Sequence, residues 1–370
     1  MRRALLMLLV CLAARAWTQT TVVLPFFNLS GDSNLDWIGE SVSEAIREAL
    51  VSRRMSVVDR ESRAEAYRRL SLRPYVVLTR ASVIRIGEEL EAERIVYGSF
   101  QVPPGKSSLV LAARVLDRRE LSLSPEETAT SALEDLAEAQ ERLAGQVSQL
   151  MGASGRGPGR RKPVRVDALE SYIRGLMATS PEQKHRLLTQ AARLDEGFVQ
   201  PCFELGRMFL ASKDYKVAAG WFERIPPDDP NAVEAGFFLG LCRYELGEYD
   251  AAIAVFRRVV ETAPLGEVWN GLGAAQSRKN LPEAAESFRR ANAADPGDTV
   301  YLFNLGYVLW KGSAFEEAAE KFRAVLDLTP DDQQAMSMLG RCIQKTPPRP
   351  TDLQLAGLER IKSKLEQKQK

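Results

Sequence analysis

One glycine recurs in the same local setting along the carboxy-terminal half of the chain, at Gly175, Gly206, Gly240, Gly273, Gly306 and Gly340, with intervals of 31, 34, 33, 33 and 34 residues. A period near 34 is the mark of paired helices stacked into a solenoid. The neighbours repeat with it: Leu205, Gly206, Ala218, Phe222 and Pro230 return as Leu239, Gly240, Ala252, Phe256 and Pro264. They return again as Leu272, Gly273, Ala284, Phe288 and Pro296, and as Leu305, Gly306, Ala318, Phe322 and Pro330. Gly and Ala suit places where two helix backbones approach closely, Phe and Leu fill the volume between them, and Pro starts a helix without being able to continue the previous one.

This series resembles the tetratricopeptide repeat family and implies an all-α solenoid over residues 167–347, with four good repeats between two degraded caps. The first cap has Glu196 in place of the proline and is three residues short between Gly175 and Ala191. The last keeps Leu339-Gly340, then runs through "KTPPRPTD" toward a capping helix expected from about Leu353 to Gln367, within a tail of residues 348–370. Such an array offers a concave surface lined by the first helix of each repeat. The family's register implies a protein-binding groove of Glu204, Arg207, Glu234, Phe237, Leu241, Asn270, Arg278, Asn304, Tyr307, Lys311, Arg341 and Lys345, with Glu267 beside them. Of Phe237 and Phe238, one is expected in the groove and one between helices. Some family members clamp a chaperone's terminal carboxylate with a Lys and Asn set; Asn304 stands nearly alone here, and that ligand is not expected.

Residues 21–151 read as a mixed α/β domain. "TVVLPFF", "MSVVDR", "RIVYGSFQV" and "SLVLAARVLD" are strand-like, the last two forming an antiparallel hairpin across Pro103, Pro104 and Gly105. "LDWIGESVSEAIREALVS" is a helix with Ile38, Val42, Ala45, Ile46 and Ala49 on its apolar face. Ser131 to Met151 repeats the helical pattern through Leu133, Leu136, Ala137, Gln140, Leu143, Ala144, Val147, Leu150 and Met151. The "NLSGD" turn between the first strand and helix has the outline of a phosphate loop. It has one glycine and no Lys or Arg, however, and Asp32, Asp36 and Glu40 add negative charge where an anion would sit. Those acids suit the amino terminus of a helix.

The segments "VLPFFNLSGD", "WIGESVSEAIREAL", "VVDR", "IGEELEAERIVYGSF" and "LVLAARVLD" follow one another as in the amino-terminal domain of the TolB family. They are also similar to curli-secretion (CsgG-like) lipoproteins, flagellar FlgO-type proteins and penicillin-binding-protein activator lipoproteins. The resemblance implies a small envelope domain with no known catalytic residues and a role in assembly or protein contact.

The first sixteen residues, "MRRALLMLLVCLAARA", place Arg2 and Arg3 before an apolar run and end in Ala14-Arg15-Ala16, the pattern of a cleavable secretory signal. The run is shorter than the roughly 20 residues of a spanning helix, and no later segment approaches that length, so no transmembrane segment is expected after cleavage. The expected destination is the periplasm. "LLVC" around Cys11 leaves an outer-membrane lipoprotein, or peripheral membrane association, as the alternative. Loss of Arg2, Arg3 and Arg15 takes the formal charge from +1 to −2, which gives no bias toward nucleic acid. Residues 152–166 form a Gly- and Pro-rich linker carrying Arg156, Arg160, Arg161, Lys162 and Arg165.

Cys202, Cys242 and Cys342 are odd in number and widely spaced, with no CxxC, so they are expected as small buried residues and not as a disulfide framework. His185 is the single histidine, which leaves a zinc site or a Ser-His-Asp triad without partners. No phosphate-loop, dinucleotide, metalloprotease or hydrolase motif occurs. The reading is a non-enzymatic exported bacterial adaptor with no catalytic, cofactor or metal residues, acting on a protein or peptide partner in the cell envelope. The alternatives are an enzyme or nucleotide-binding protein with its site in the first domain, and a self-associating structural protein.

Overall fold

The computed structural model describes residues 20–73, 75–103, 108–153, 164–349, 355 and 357–365. The leader, Cys11 and the linker residues Arg156, Arg160, Arg161 and Lys162 lie outside the described residues. Two compact units divide between Phe198 and Val199.

The first unit is α/β with a mixed sheet. β1 (Thr21–Val23) and β2 (Phe27–Asn28) both run parallel to β3 (Arg94–Gln101). β3 pairs antiparallel with β4 (Ser108–Asp117), which pairs in turn with the short β5 (Ser122–Leu123) and with β6 (Glu127–Ala132). The expected first strand is split because Pro25 has no N–H to give; Phe26 donates instead to the Gly39 carbonyl at 3.0 Å. The expected second strand, "MSVVDR", is reduced to a single bridge between Thr21 and Val57. Its end is drawn away by Asp59, whose carboxylate caps the next helix through the Ser62 N–H at 2.7 Å.

Side chains alternate across the sheet as the strand period demands. Val23, Val96, Phe100, Leu109, Leu111 and Ala113 face α1 (Asp36–Ser52) and α4 (Leu136–Leu150). Val22, Leu24, Ile95 and Leu116 face α2 (Arg60–Arg69) and α3 (Arg80–Glu89), represented by Tyr67, Val83 and Ile86. α4 begins at Leu136, after a 3-10 turn at Leu133–Asp135, and Leu150 at its end is 38% exposed. The α5 (Val166–Met177) and α6 (Pro181–Leu194) pair follows, and Ala168, Leu169 and Ile173 of α5 lie in the first unit's core.

The second unit is a helical solenoid. Its pairs are α7 (Gln200–Ala211) with α8 (Tyr215–Phe222), α9 (Ala232–Glu245) with α10 (Tyr249–Thr262), α11 (Gly266–Arg278) with α12 (Ala284–Ala294), and α13 (Thr299–Lys311) with α14 (Phe315–Leu328). α15 (Gln333–Ile343) closes the series. The recurring glycine is explained by contact: a methyl on Gly206 would come within 2.6 Å of Phe222, on Gly240 within 2.6 Å of Phe256, on Gly273 within 2.8 Å of Phe288, and on Gly306 within 3.1 Å of Phe322. Gly340 on α15 has nothing within 4 Å of that position. The capping helix expected from Leu353 to Gln367 does not form over the described residues 357–365, which carry neither helix nor strand; the two ends of the expected helix lie outside the described residues. Gly357 at φ 76° turns its backbone out of the right-handed helical region.

Candidate protein-binding groove

The first helices α11 and α13 carry the polar floor of the candidate groove. Asn270 and Asn304 stand 34 residues apart, so they occupy equivalent positions on adjacent repeats. Asn304 Nδ2 donates to Asn270 Oδ1 at 2.7 Å, so Asn304 has a partner in register that the sequence reading did not recognise. One turn or two further along, Tyr307, Lys311 and Arg278 surround the same floor.

Residues 355 and 357–365 lie on this floor. The Arg360 N–H donates to Asn304 Oδ1 at 2.8 Å, and the Arg360 carbonyl accepts from Asn304 Nδ2 at 2.7 Å and from Asn270 Nδ2 at 2.9 Å. Tyr307 donates its hydroxyl proton to the Leu355 carbonyl at 2.6 Å. These bonds grip main chain, so they do not themselves discriminate among side chains, and selectivity is left to the side-chain contacts of the segment. With the segment in place, both asparagines are fully buried. Burial, with Glu359 nearby, pushes the Tyr307 phenol up to about 12. Burial also lowers the Lys311 ammonium, which Glu359 partly restores; its Nζ donates to the Ser277 carbonyl at 2.8 Å.

Three side chains of the segment enter matched surroundings. Glu359 accepts from the Ser277 hydroxyl at 2.6 Å and lies 3.7 Å from Arg278, which is itself held by two hydrogen bonds to the Tyr249 hydroxyl. The Arg360 guanidinium spans both Asp332 oxygens at 2.7 and 2.9 Å, adds Gln334 at 3.0 Å, and sits 3.6 Å above the Phe303 ring. Its hydrogen bond, against opposing burial, holds the Asp332 carboxyl below the usual value. Lys362 pairs with Asp298 at 2.5 Å and lies 5.0 Å from the Tyr301 ring centre. Leu358 and Ile361 pack on the cluster around Phe303, Tyr307 and Trp310, and Leu365 on the cluster around Phe237 and Phe238.

Of the residues expected in the groove, the structure therefore brings together Asn270, Arg278, Asn304, Tyr307 and Lys311. Phe237 and Leu241 are 0% and 5% exposed and belong to the packing between helices; Phe238 is buried as well, its ring 5.7 Å from that of Phe237. The expectation that one of the two rings lines the groove is corrected: both fill the interhelical volume. Glu204, Arg207 and Glu234 form a separate charged group on α7 and α9, with Arg207 and Glu204 3.7 Å apart. Burial raises the Glu234 carboxyl while Arg207 pulls it down. Lys345 pairs with Glu316 at 2.7 Å on the surface, and Arg341 is half-buried on α15. Glu267 is buried at the start of α11. Asp298, Phe303, Asp332 and the segment's own Glu359 and Arg360 were missed. The 34-residue spacing of Asn270 and Asn304 was the signal that could have pointed to the main-chain grip.

The first unit has a different polar centre. Glu40 is buried, not placed at an exposed helix start; it accepts from Arg60 Nε at 2.8 Å and from Arg63, which also reaches the Val23 carbonyl at 2.8 Å and the Ser43 hydroxyl at 2.5 Å. The "NLSGD" turn closes on itself. The Ser30 N–H donates to Asn28 Oδ1 at 2.8 Å, the Asn34 N–H to Asp32 Oδ1 at 2.9 Å, and Asn28 Nδ2 to Asp36 at 2.9 Å. Gly31 takes φ 76° at its corner. A shallow cleft over β3 and β4 is lined by Phe27, Val76, Tyr97 and the paired Arg114 and Glu126, 2.9 Å apart. Cys202, Cys242 and Cys342 are buried and unpaired; burial pushes the Cys242 thiol up to about 12 and the Cys342 thiol to about 11. Among the described residues, no helix is long and apolar enough to cross a membrane, and no group of three or more His, Cys, Asp or Glu side chains is placed to hold a metal.

The repeats are tetratricopeptide repeats: the family described as Tetratricopeptide repeat matches residues 228–267, 239–299, 274–333 and 303–342. Such repeats mediate protein–protein interaction. The chain is similar to the Homo sapiens cell division cycle protein 16 homolog, 27% identical over 168 residues, which cover 42% of this chain and 27% of that protein. It is also similar to the peroxisomal targeting signal receptor of Kluyveromyces lactis, 29% identical over 149 residues, covering 40% and 25%. The chain thus spans about a quarter of the length of these curated relatives. Among solved structures it is similar to MamA 41-end from Desulfovibrio magneticus RS-1, at 25% identity and a TM-score of 0.41 over 46% of this chain and 99% of that one. YrrB, a TPR protein with an unusual peptide-binding site, is similar at 22% identity and a TM-score of 0.42 over 46% and 91%.

Proposed function

We propose that the chain is a non-enzymatic bacterial adaptor, exported to the cell envelope, whose repeat groove holds an extended protein segment while its α/β unit docks on a second envelope component. The observation that carries the groove reading is the Asn304 side-chain amide, which both donates to and accepts from the main chain of one residue, Arg360, with Asn270 doubling the bond to its carbonyl. One amide side chain thus pairs with main chain as a neighbouring β-strand would. Export is supported by the apolar leader of residues 1–16, and the envelope setting by the resemblance of residues 21–151 to TolB-type domains. The destination is the periplasm, or the outer membrane where Cys11 carries lipid. For the α/β unit, support comes from the exposed Val76 and Val77 beside the cleft over β3 and β4.

The test is retention of envelope proteins on the immobilised full-length chain, with Asn270→Ala/Asn304→Ala as the comparison. Proteins held by the parent and lost by the variant are expected; identical retention contradicts the groove reading. Sequencing of the mature amino terminus separates a start at Trp17 from a lipidated Cys11, and a chain still carrying residues 1–16 in the cytoplasm contradicts export.

A further inference from the structure

We propose that residues 355–365 are an intramolecular ligand of the groove, and that the partner displacing them is an extended segment with acidic, arginine, apolar and lysine residues in succession. This rests on the reading of the groove as a protein-binding site. The order is that of Glu359, Arg360, Ile361 and Lys362, and each charged member meets its complement: Ser277 and Arg278 for the acid, Asp332 and the Phe303 face for the arginine, Asp298 for the lysine. The apolar member packs on the cluster that includes Tyr307 and Trp310.

Two observations separate a displaceable occupant from a fixed part of the fold. Residues 357–365 carry no helix or strand and are held by side chains of the array instead of by a helix or a sheet of their own. The segment's fit is also incomplete: Glu359 Oε2 is buried without a hydrogen bond, with Arg278 3.7 Å away as an ion-pair neighbour only. An incoming carboxylate that reaches Arg278 with its second oxygen completes a site the tail leaves unfinished. The tail's advantage is its tether, since a short linker gives an effective concentration on the order of millimolar. If the same sequence binds with a dissociation constant of about 100 μM in trans, the tether lowers a competitor's apparent affinity roughly tenfold.

The probe is a fluorescein-labelled peptide of residues 355–365, titrated by anisotropy into the full-length chain and into full-length Glu359→Ala/Arg360→Ala. The expected result is binding at least tenfold tighter to the tail variant, abolished when Asn304→Ala is added. A labelled peptide with its own glutamate and arginine replaced by alanine is expected to bind at least tenfold more weakly; this arm needs no altered protein, so it stands even where a chain variant misfolds. Equal affinity for parent and tail variant, still lost on Asn304→Ala, overturns self-occupancy while the groove reading stands. No binding to either chain overturns both. A parent that is a dimer in solution, and whose tail variant is a monomer, would place the tail in a second copy and overturn the intramolecular assignment.

Discussion

The two units bury polar groups in opposite ways. In the first, Glu40, Arg60, Arg63 and Ser43 satisfy one another and the Val23 carbonyl, all within elements that the sheet and its helices hold in place. In the second, Asn270, Asn304 and Tyr307 are buried with a segment from the far end of the chain hydrogen-bonded to them. The same chemistry is thus a fastening in one unit and a receptor in the other. The distinction lies in whether the partner groups belong to the sheet and its helices or arrive on a segment without helix or strand.

The largest test of that contrast removes the fastenings. Arg63→Ala leaves Glu40 buried without its main partner and is expected to cost about 3–5 kcal/mol, read by denaturant unfolding with hydrogen exchange confined to the first unit. Phe256→Ala empties the volume between Gly240 and Gly271 and is expected to cost about 3–5 kcal/mol, with the loss confined to the second unit. A change that spreads equally through both units would contradict the assignment of each side chain to the core of its own unit.

A smaller effect is expected at the receptor. Asn304→Ala removes two main-chain bonds and should weaken tail docking by about 1–3 kcal/mol, with faster exchange across residues 358–362 and an unchanged first unit. A shift of the global unfolding midpoint as large as that of Phe256→Ala would make the tail part of the core.

Acid is expected to act on the same contact. Arg360 holds the Asp332 carboxyl below its ordinary value of 3.8 in the docked state. The contribution is therefore complete above that ordinary value and is lost as pH falls through the depressed one. The Arg360 side-chain signals over the Phe303 ring report it, and signals unchanged down to pH 2 would contradict the linkage. The smallest effect is at the exposed Lys345 and Glu316 pair, where Lys345→Ala is expected to alter neither stability nor peptide binding measurably.

The array was legible because its packing is periodic: the Gly240 and Phe256 contact recurs at Gly206, Gly273 and Gly306 with only the numbers changed. The sheet was partly legible. β3 and β4 carry alternating apolar residues, whereas β6, "ETATSA", buries only Ala129 and gives no such signal. The groove was half legible, since the register located its asparagines but not what lies on them. Leu355, Leu358, Ile361 and Leu365 follow a helical spacing, within the stretch where a capping helix is expected. Gly357 turns the chain away from a helix, and the apolar side chains settle on the existing clusters of the array instead of on a new helix. Tertiary contact decided against local periodicity there.

The central claim is that α11 and α13 grip the main chain of an extended segment, and the Arg360 amide reports it most directly. Residue-resolved hydrogen exchange on the full-length chain is predicted to show this N–H protected well beyond those of the exposed Ser363 and Lys364, with the protection removed by Asn304→Ala. Exchange at Arg360 as fast as at Ser363 in the parent chain would contradict the account.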